Sequence, residues 1–204
     1  AFFARTRLYL LQTDISLLSM VFRENLLGGV SLSRAVGEAS AWLETAYVLP
    51  DGVDPADALY AQDYITLSAG VDRNIAADLY AYGEYHYNSA GKADPDHYPK
   101  LQDDPGYTEG NLYLLGRHYL GVGATYNAGP LLPVEALVLV NLNDWSAEIA
   151  LSTEYNFKEN VYVGGGVFLG LGPEPRTVAG VPARLRSEFG AYPQVFYTEV
   201  KLYF

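Results

Sequence analysis

The amino-acid sequence predicts an all-β protein: an antiparallel up-and-down transmembrane β-barrel with about ten to eleven strands in this chain. Three observations support this fold class. Apolar and polar residues alternate along most of the 204 residues, short and long connections follow each other in turn, and no apolar run approaches the roughly twenty residues that a membrane-spanning helix needs. The most apolar stretch, residues 119–140, contains Pro130, Pro133 and Glu135, which disfavour a buried helix.

The clearest alternation is in the last nine residues. One parity holds Phe196, Thr198, Val200, Leu202 and Phe204, and the other holds Tyr197, Glu199, Lys201 and Tyr203. Successive side chains of a strand point to opposite faces of the sheet. One face of this segment could therefore contact hydrocarbon while the other carries charge into water.

The same alternation divides the rest of the chain into strands. It predicts strands at residues 5–11, 14–24, 27–34, 38–49, 63–73, 78–88, 112–127, 133–142, 147–157 and 161–171, and a closing strand that begins near Phe189 or Tyr192. Short turns near 35–37, 74–77, 128–131 and 157–160 alternate with long connections at 50–62, 89–110 and 172–187. This regular alternation is typical of outer-membrane barrels, although the connection at 143–145 is short where a long one is expected.

The final strand resembles the C-terminal strand of bacterial outer-membrane β-barrels, in which alternating apolar residues and a terminal Phe act as the assembly signal. In this chain the signal would be Phe196, Val200, Leu202 and Phe204. Residues 115–119, 138–143, 168–172 and 187–190 resemble segments of uncharacterised porin-like outer-membrane proteins. The resemblance implies a porin or related transport protein in the outer membrane of a Gram-negative bacterium. It also implies that membrane lipid and the barrel-assembly machinery are partners, and it supplies no catalytic residues.

We expect residues 1–204 to form a single transmembrane β-barrel domain that is incomplete at its N-terminus. The chain enters a strand-like pattern at once, without a signal segment before Phe2. Eleven strands would also be an odd number, whereas bacterial single-chain barrels have even counts. The favoured interpretation is the C-terminal part of a larger barrel, and the alternative is a closed barrel of about ten strands.

The charged residues that alternate with the apolar ones form the candidate site, which is the lining of the lumen. Its members are Glu38, Glu44, Asp72, Glu84, His86, Arg117, Glu135, Glu148, Glu154, Glu199 and Lys201. Acids outnumber bases there, and acidic rings favour cations. The sequence therefore predicts a porin-like channel for passive diffusion of small polar solutes or ions, with a net acidic lumen. In a closed barrel of about ten strands, the same side chains could instead link opposite walls of a filled interior.

The positions of the glycines and of the tyrosines predict two further features. The glycines at 121, 123, 164 and 166 fall on the inward parity, where they could widen the lumen, seat an inward-folded loop, or make room for aromatic neighbours such as Tyr162 and Phe168. Tyrosines near strand ends predict an aromatic girdle at the membrane interfaces. They are Tyr47, Tyr64, Tyr87, Tyr119, Tyr126, Tyr155 and Tyr192.

Other functions were weighed against the channel. The second hypothesis is a non-conducting structural or adhesive barrel whose long loops bind partners, and the third is an outer-membrane hydrolase. His97 beside Asp94 or Asp96, and His86 near Ser89, match no catalytic arrangement, so we expect no enzyme. The acidic loop 94–104 lacks the spacing of a calcium-binding loop, and we expect no metal or other cofactor.

Composition narrows the partners further. A formal net charge of −11 without a basic patch argues against nucleic acid, and the absence of Cys excludes a disulfide scaffold. The expected partners are membrane lipid, the assembly machinery and small polar solutes or ions. A homo-oligomer is compatible with the porin resemblance, but no residue specifies an interface.

Overall fold

The computed structural model describes residues 1–22, 25–50, 63–108, 112–178 and 181–204. Within them the chain forms strands β1 (Phe2–Leu10), β2 (Thr13–Phe22), β3 (Asn25–Val36), β4 (Ala39–Leu49), β5 (Tyr64–Ala76), β6 (Leu79–Asn88), β7 (His118–Asn127), β8 (Pro133–Asn141), β9 (Ser146–Lys158), β10 (Val161–Leu171), β11 (Arg176–Val178), β12 (Val181–Arg184) and β13 (Val195–Leu202). Helical structure is limited to 3₁₀ segments at Pro95–Asp103 and Phe189–Ala191 and the four-residue helix α1, Pro105–Thr108.

Eleven strands make one antiparallel sheet in the order β1-β2-β3-β4-β5-β6-β7-β8-β9-β10-β13, and β11 and β12 form a separate hairpin inside the connection from β10 to β13. The predicted all-β, antiparallel up-and-down fold class is confirmed. In the described residues β1 and β13 each pair with one neighbour only, so the sheet is open and has two edges.

No helix in the described ranges combines the length and the apolar composition needed to cross a membrane.

Cross-strand register gives the sheet two chemically different faces. Directly paired residues share a face, so Trp42, Gly70, Glu84 and Gly121 form one row, while the adjacent row of Leu43, Ala69, Tyr85 and Leu120 lies on the other face. We call the face that carries Trp42 and Glu84 the polar face, and the opposite one the apolar face.

The apolar face is continuous across all eleven strands and is uncovered. Val122 is 52% exposed, Leu151 44% and Val200 65%, because no other described segment packs on this side of the strands. The charged side chains that the pairing assigns to this face in the described strands are Arg34, Arg73 and Lys158. All three lie at strand ends beside short turns. An apolar surface of this extent needs a partner, because water does not solvate it favourably.

The strand boundaries follow the alternation closely, with two corrections. The strand expected at 112–127 begins only at His118, because hydrogen bonds to distant residues hold the preceding segment: Leu115 N–H donates to Glu188 (2.8 Å) and Arg117 N–H donates to Asn143 (2.8 Å). The closing strand begins at Val195 rather than near Phe189 or Tyr192, because residues 189–191 form a 3₁₀ turn. The expected long connection at 50–62 falls, apart from Pro50, outside the described residues.

Candidate functional site: the polar face and its loop cap

The register places nine of the eleven candidate lumen residues on the polar face. They are Glu44, Asp72, Glu84, His86, Glu135, Glu148, Glu154, Glu199 and Lys201. The other two require correction. Glu38 lies in the turn between β3 and β4, where it pairs with Arg73 (2.7 Å). Arg117 lies before β7, where its Nε donates to the Gly91 carbonyl (3.2 Å), because this segment belongs to a folded loop.

Negative charge dominates the polar face. Lys201 contacts both Glu154 (2.6 Å) and Glu199 (3.1 Å), so its charge is already matched. Glu44, Asp72, Glu84, Glu135 and Glu148 have no cationic partner within 4.0 Å among the described residues. Arg5, on the edge strand β1, donates to Ser16 (3.1 Å) rather than to a carboxylate. This face therefore presents an acidic surface to its surroundings.

Aromatic rings from neighbouring strands lie over three glycines of this face. A Cβ at Gly70 would lie 2.2 Å from the Trp42 ring, one at Gly123 2.3 Å from the Tyr82 ring, and one at Gly166 2.7 Å from the Tyr197 ring. The expectation that inward glycines relieve aromatic neighbours is confirmed for Gly123 and Gly166, although the rings are not those of Tyr162 and Phe168. Gly121 differs, because a Cβ there would meet no atom nearer than 3.8 Å.

The two glycines of β7 form a matched pair for mutation. We expect Gly123→Ala to destabilise the protein by about 1–3 kcal/mol, because the new methyl group must displace the Tyr82 ring. Gly121→Ala, on the same strand and face, should be neutral or stabilising by up to about 1 kcal/mol, because the new methyl group meets its neighbours at ordinary van der Waals distance and the change removes a glycine from a strand interior. Denaturant unfolding of the two refolded variants in lipid vesicles measures the difference, and equal stabilities would contradict the close ring contact.

Among the described residues, the most deeply buried side chains lie at the end of β6–β10 where the long connections meet. The described parts of the connections 89–117 and 172–194 fold onto the polar face there, and we call them together the loop cap. Glu188, 1% exposed, lies at its centre. Its carboxylate accepts hydrogen bonds from Leu115 N–H (2.8 Å), from Asn141 Nδ2 (2.7 Å) and from the Tyr119 hydroxyl.

A second carboxylate extends this network. Asp144 accepts hydrogen bonds from the Tyr98 hydroxyl (2.9 Å), Glu188 N–H (2.8 Å) and the Ser146 hydroxyl (2.6 Å). Asn141 Nδ2 also donates to the Tyr98 hydroxyl (2.9 Å). Every polar group named here has a partner, so the loop cap has a defined structure and is tied to the strand ends.

Apolar packing and an exposed ion pair complete the loop cap. Tyr119 and Phe189, both fully buried, meet edge to face with centroids 6.3 Å apart. Gly170 allows the close approach, because a Cβ there would lie 2.2 Å from the Phe189 carbonyl oxygen. At the surface Arg184 makes a two-pronged hydrogen bond to Asp96, which lowers the pKa of that carboxyl and links the two connections again. The loop cap thus covers one end of the polar face.

The four segments that the sequence analysis compares with porin-like proteins meet in this cluster. Residues 115–119 supply Tyr119, residues 138–143 supply Asn141, residues 168–172 supply Gly170, and residues 187–190 supply Glu188. The roles of Tyr98, Asp144 and Glu188 were not predicted. The short connection at 143–145, which interrupts the alternation of turn lengths, was the one available signal, because it marks the site where the loop cap docks.

Burial raises the pKa of Glu188 above its ordinary value, against the effect of its three donors, and nearby Asp144 raises it further. Burial likewise raises the pKa of Tyr98, and that of Tyr192 to about 12. A carboxyl whose pKa is higher when docked binds its proton more tightly in the docked state. Docking is therefore strongest below the ordinary Glu pKa of about 4.3 and weakens as the pH rises through the raised value.

We therefore expect the loop cap to become more mobile as the pH rises above the ordinary Glu pKa of about 4.3. The chain contains no Cys, so Glu174→Cys gives a single attachment site for a spin label on the cap. The lines of the label's spectrum should narrow as the pH is raised through the titration of Glu188. Glu188→Gln in the same background should remove this pH dependence, and a dependence that survives in Glu188→Gln would contradict the role of Glu188.

Four of the seven tyrosines expected in an aromatic girdle have the position that a girdle requires. Tyr47, Tyr87, Tyr126 and Tyr155 lie on the apolar face near strand ends. The prediction is wrong for Tyr64 and Tyr119, which lie buried on the polar face, and for Tyr192, which packs against Phe189 in the loop cap.

The histidines are held by different partners. His86 Nδ1 lies 2.9 Å from the Ser68 hydroxyl, whereas Ser89 accepts a hydrogen bond from Ile65 N–H. His118 Nδ1 lies 2.7 Å from the Tyr85 hydroxyl. His97 is exposed. The described residues contain no group of three or more His, Asp or Glu side chains arranged to hold a metal ion.

Comparison with known protein families, with curated proteins and with solved structures finds no match to this chain. Functional inference therefore depends on the two faces of the sheet and on the loop cap.

Proposed function

We propose that this chain forms the wall of a porin-like channel in the outer membrane of a Gram-negative bacterium, through which small polar solutes or ions diffuse passively. The observation that supports this most is an eleven-stranded sheet with one uncovered apolar face and one acidic face. Its strands are 8 to 13 residues long, and a tilted membrane-spanning strand needs about 9–11 residues. Hydrogen bonds between neighbouring strands satisfy the backbone, as a hydrocarbon environment requires.

A wall of this kind functions only when its edges are paired. Unpaired N–H and C=O groups along β1 and β13 would be costly in lipid, so in the membrane these strands pair with each other or with additional strands. The result is a closed barrel. Its lumen is the polar face, its lipid-facing surface is the apolar face, and the loop cap narrows one mouth.

The acidic surface supports a preference for cations. Five polar-face carboxylates lack a cationic partner in the described part of the chain, and Lys201 is matched by two glutamates. Acidic linings concentrate cations and repel anions. Cations should therefore carry most of the current.

Single-channel recording in planar bilayers under a potassium chloride gradient tests the proposal. We expect discrete conductance steps and a reversal potential of cation-selective sign. Glu84→Gln combined with Glu148→Gln should lower the K⁺/Cl⁻ permeability ratio by about half or more, because both carboxylates lie on the polar face.

Glu38→Gln is the matched control, since Glu38 lies in a turn outside that face and should leave the ratio unchanged. A folded, membrane-inserted protein that never conducts would overturn the channel and favour a structural or adhesive barrel. A protein that is monomeric and soluble without detergent would overturn the membrane location itself.

A further inference from the structure

A group of rings and carboxylates lies on the polar face of three adjacent strands, toward the short turn that joins β5 to β6. It consists of Trp42 on β4, Asp72 on β5, and Tyr80, Tyr82 and Glu84 on β6. Register places Trp42 and Glu84 at one level of the sheet and Asp72 beside Tyr82 at the next. We call these five residues the aromatic-acidic patch. The nine polar-face residues predicted from charge include its carboxylates but none of its rings.

The rings of the patch are held in place by the wall beneath them. Trp42 lies over Gly70, and its Nε1 donates to Glu84 Oε2 (2.9 Å). The glycine makes room for the indole, and the hydrogen bond fixes the orientation of the ring. Tyr82 lies over Gly123, and its ring centroid is 6.2 Å from that of Tyr80. Because glycines lie beneath Trp42 and Tyr82, these two rings lie close against the sheet, and both side chains are half-buried.

Uncrowded sheet surface and unmatched charge adjoin these rings. Glu84 is followed across the sheet by Gly121, where a Cβ would make only ordinary van der Waals contacts, at 3.8 Å or more. Neither Glu84 nor Asp72 has a cationic partner within 4.0 Å among the described residues. The two carboxylates and the three aromatic rings thus share the polar face of three adjacent strands, and no cation of the described residues neutralises the carboxylates.

This combination suits one class of ligand. An ammonium group over the face of Trp or Tyr is attracted by the ring's negative face, and a neighbouring carboxylate strengthens the attraction. A neutral sugar could stack on the rings but would not use the unmatched charges, and an inorganic cation would not need ordered rings. We propose that the aromatic-acidic patch binds organic cations, namely solutes that carry an alkylated ammonium group. The inference rests on the proposed channel function and specifies the solute class that its lumen retains.

Fluorescence provides a direct binding test, because the chain has only two tryptophans. Trp145 is 76% exposed in a turn, so Trp145→Phe leaves Trp42 as the single reporter. In detergent, at constant ionic strength, tetramethylammonium chloride should quench Trp42 fluorescence in a saturable manner. Potassium chloride and glucose should have little effect.

Two variants and a control locate the site. Tyr82→Leu and Glu84→Gln should each weaken tetramethylammonium binding roughly tenfold. Tyr197→Leu, whose ring covers Gly166 on a distant part of the wall, should leave binding unchanged. If Tyr82→Leu fails to refold, as judged by circular dichroism, Glu84→Gln alone decides, because it changes one charge without removing a ring.

The outcomes separate this inference from the channel proposal. Quenching by glucose equal to that by tetramethylammonium would replace the organic cation with a sugar. A response to tetramethylammonium no greater than that to potassium would overturn the inference even if the channel conducts. Saturable binding without conductance in bilayers would leave the patch intact and overturn only the channel.

Discussion

Replacing Glu188 with alanine should release the loop cap and increase single-channel conductance. The change leaves the donors on Leu115, Asn141 and Tyr119 without their acceptor in a fully buried environment. Loss of a buried, hydrogen-bonded carboxylate of this kind costs about 3–5 kcal/mol. Because these hydrogen bonds tie the cap to the strand ends, a loss of that size should undock the cap while the backbone pairing of the wall remains.

The measurement combines conductance with a local probe of the cap. Glu188→Ala should show larger and noisier current steps than the unmodified protein, and amide exchange within residues 95–101 should accelerate. Glu174→Ala is the control, since Glu174 lies in the same connection but is exposed. Unchanged conductance together with accelerated exchange would mean that the cap does not narrow the conducting path.

Introducing a charge in the middle of the apolar face should have the second large effect. Val138 lies near the centre of β8, paired with Val122 and Ile149 on that face. If the face contacts lipid, Val138→Arg places a guanidinium near the bilayer midplane, at a cost of about 2–4 kcal/mol. Denaturant-induced unfolding from lipid vesicles measures this cost.

Val36→Arg is the positional control, because Val36 ends β3 beside a short turn, two residues from the native Arg34. Near an interface the same substitution should cost only about 0–1 kcal/mol. Depth is the only variable between the two variants. Equal effects at both positions would mean that the apolar face does not face a bilayer.

The parts of the structure that sequence could predict are those with a period of two. Alternation located all eleven strands of the sheet and assigned Glu84, Glu148 and Glu199 to one face, because a strand fixes the direction of every second side chain. Glu38 and Arg117 were misplaced for the same reason. Both residues continue the alternation of the charged residues in the neighbouring strand. Alternation does not fix the direction of a side chain once the segment leaves the sheet.

The loop cap had no comparable signal. Glu188 lies outside any periodic segment, and its partners Leu115, Tyr119 and Asn141 precede it by 73, 69 and 47 residues. Such contacts depend on how two long connections fold back, which local patterns do not encode. The sequence predicted that aromatic rings lie near Gly123 and Gly166, but not which rings. Alternation identifies the face of the sheet on which a side chain lies, and it does not determine which neighbouring ring lies over a glycine.

The long sequence separations within the Glu188 cluster also set an order of assembly. Each hairpin of the wall can form from residues close together in the chain, whereas Glu188 finds its acceptor role only after β7 to β9 and both connections are in place. Docking of the loop cap is consequently the last folding event on this side of the sheet. A nascent sheet would pass through a stage in which this end of its polar face is uncovered, and the final hydrogen bonds of Glu188 would end that stage.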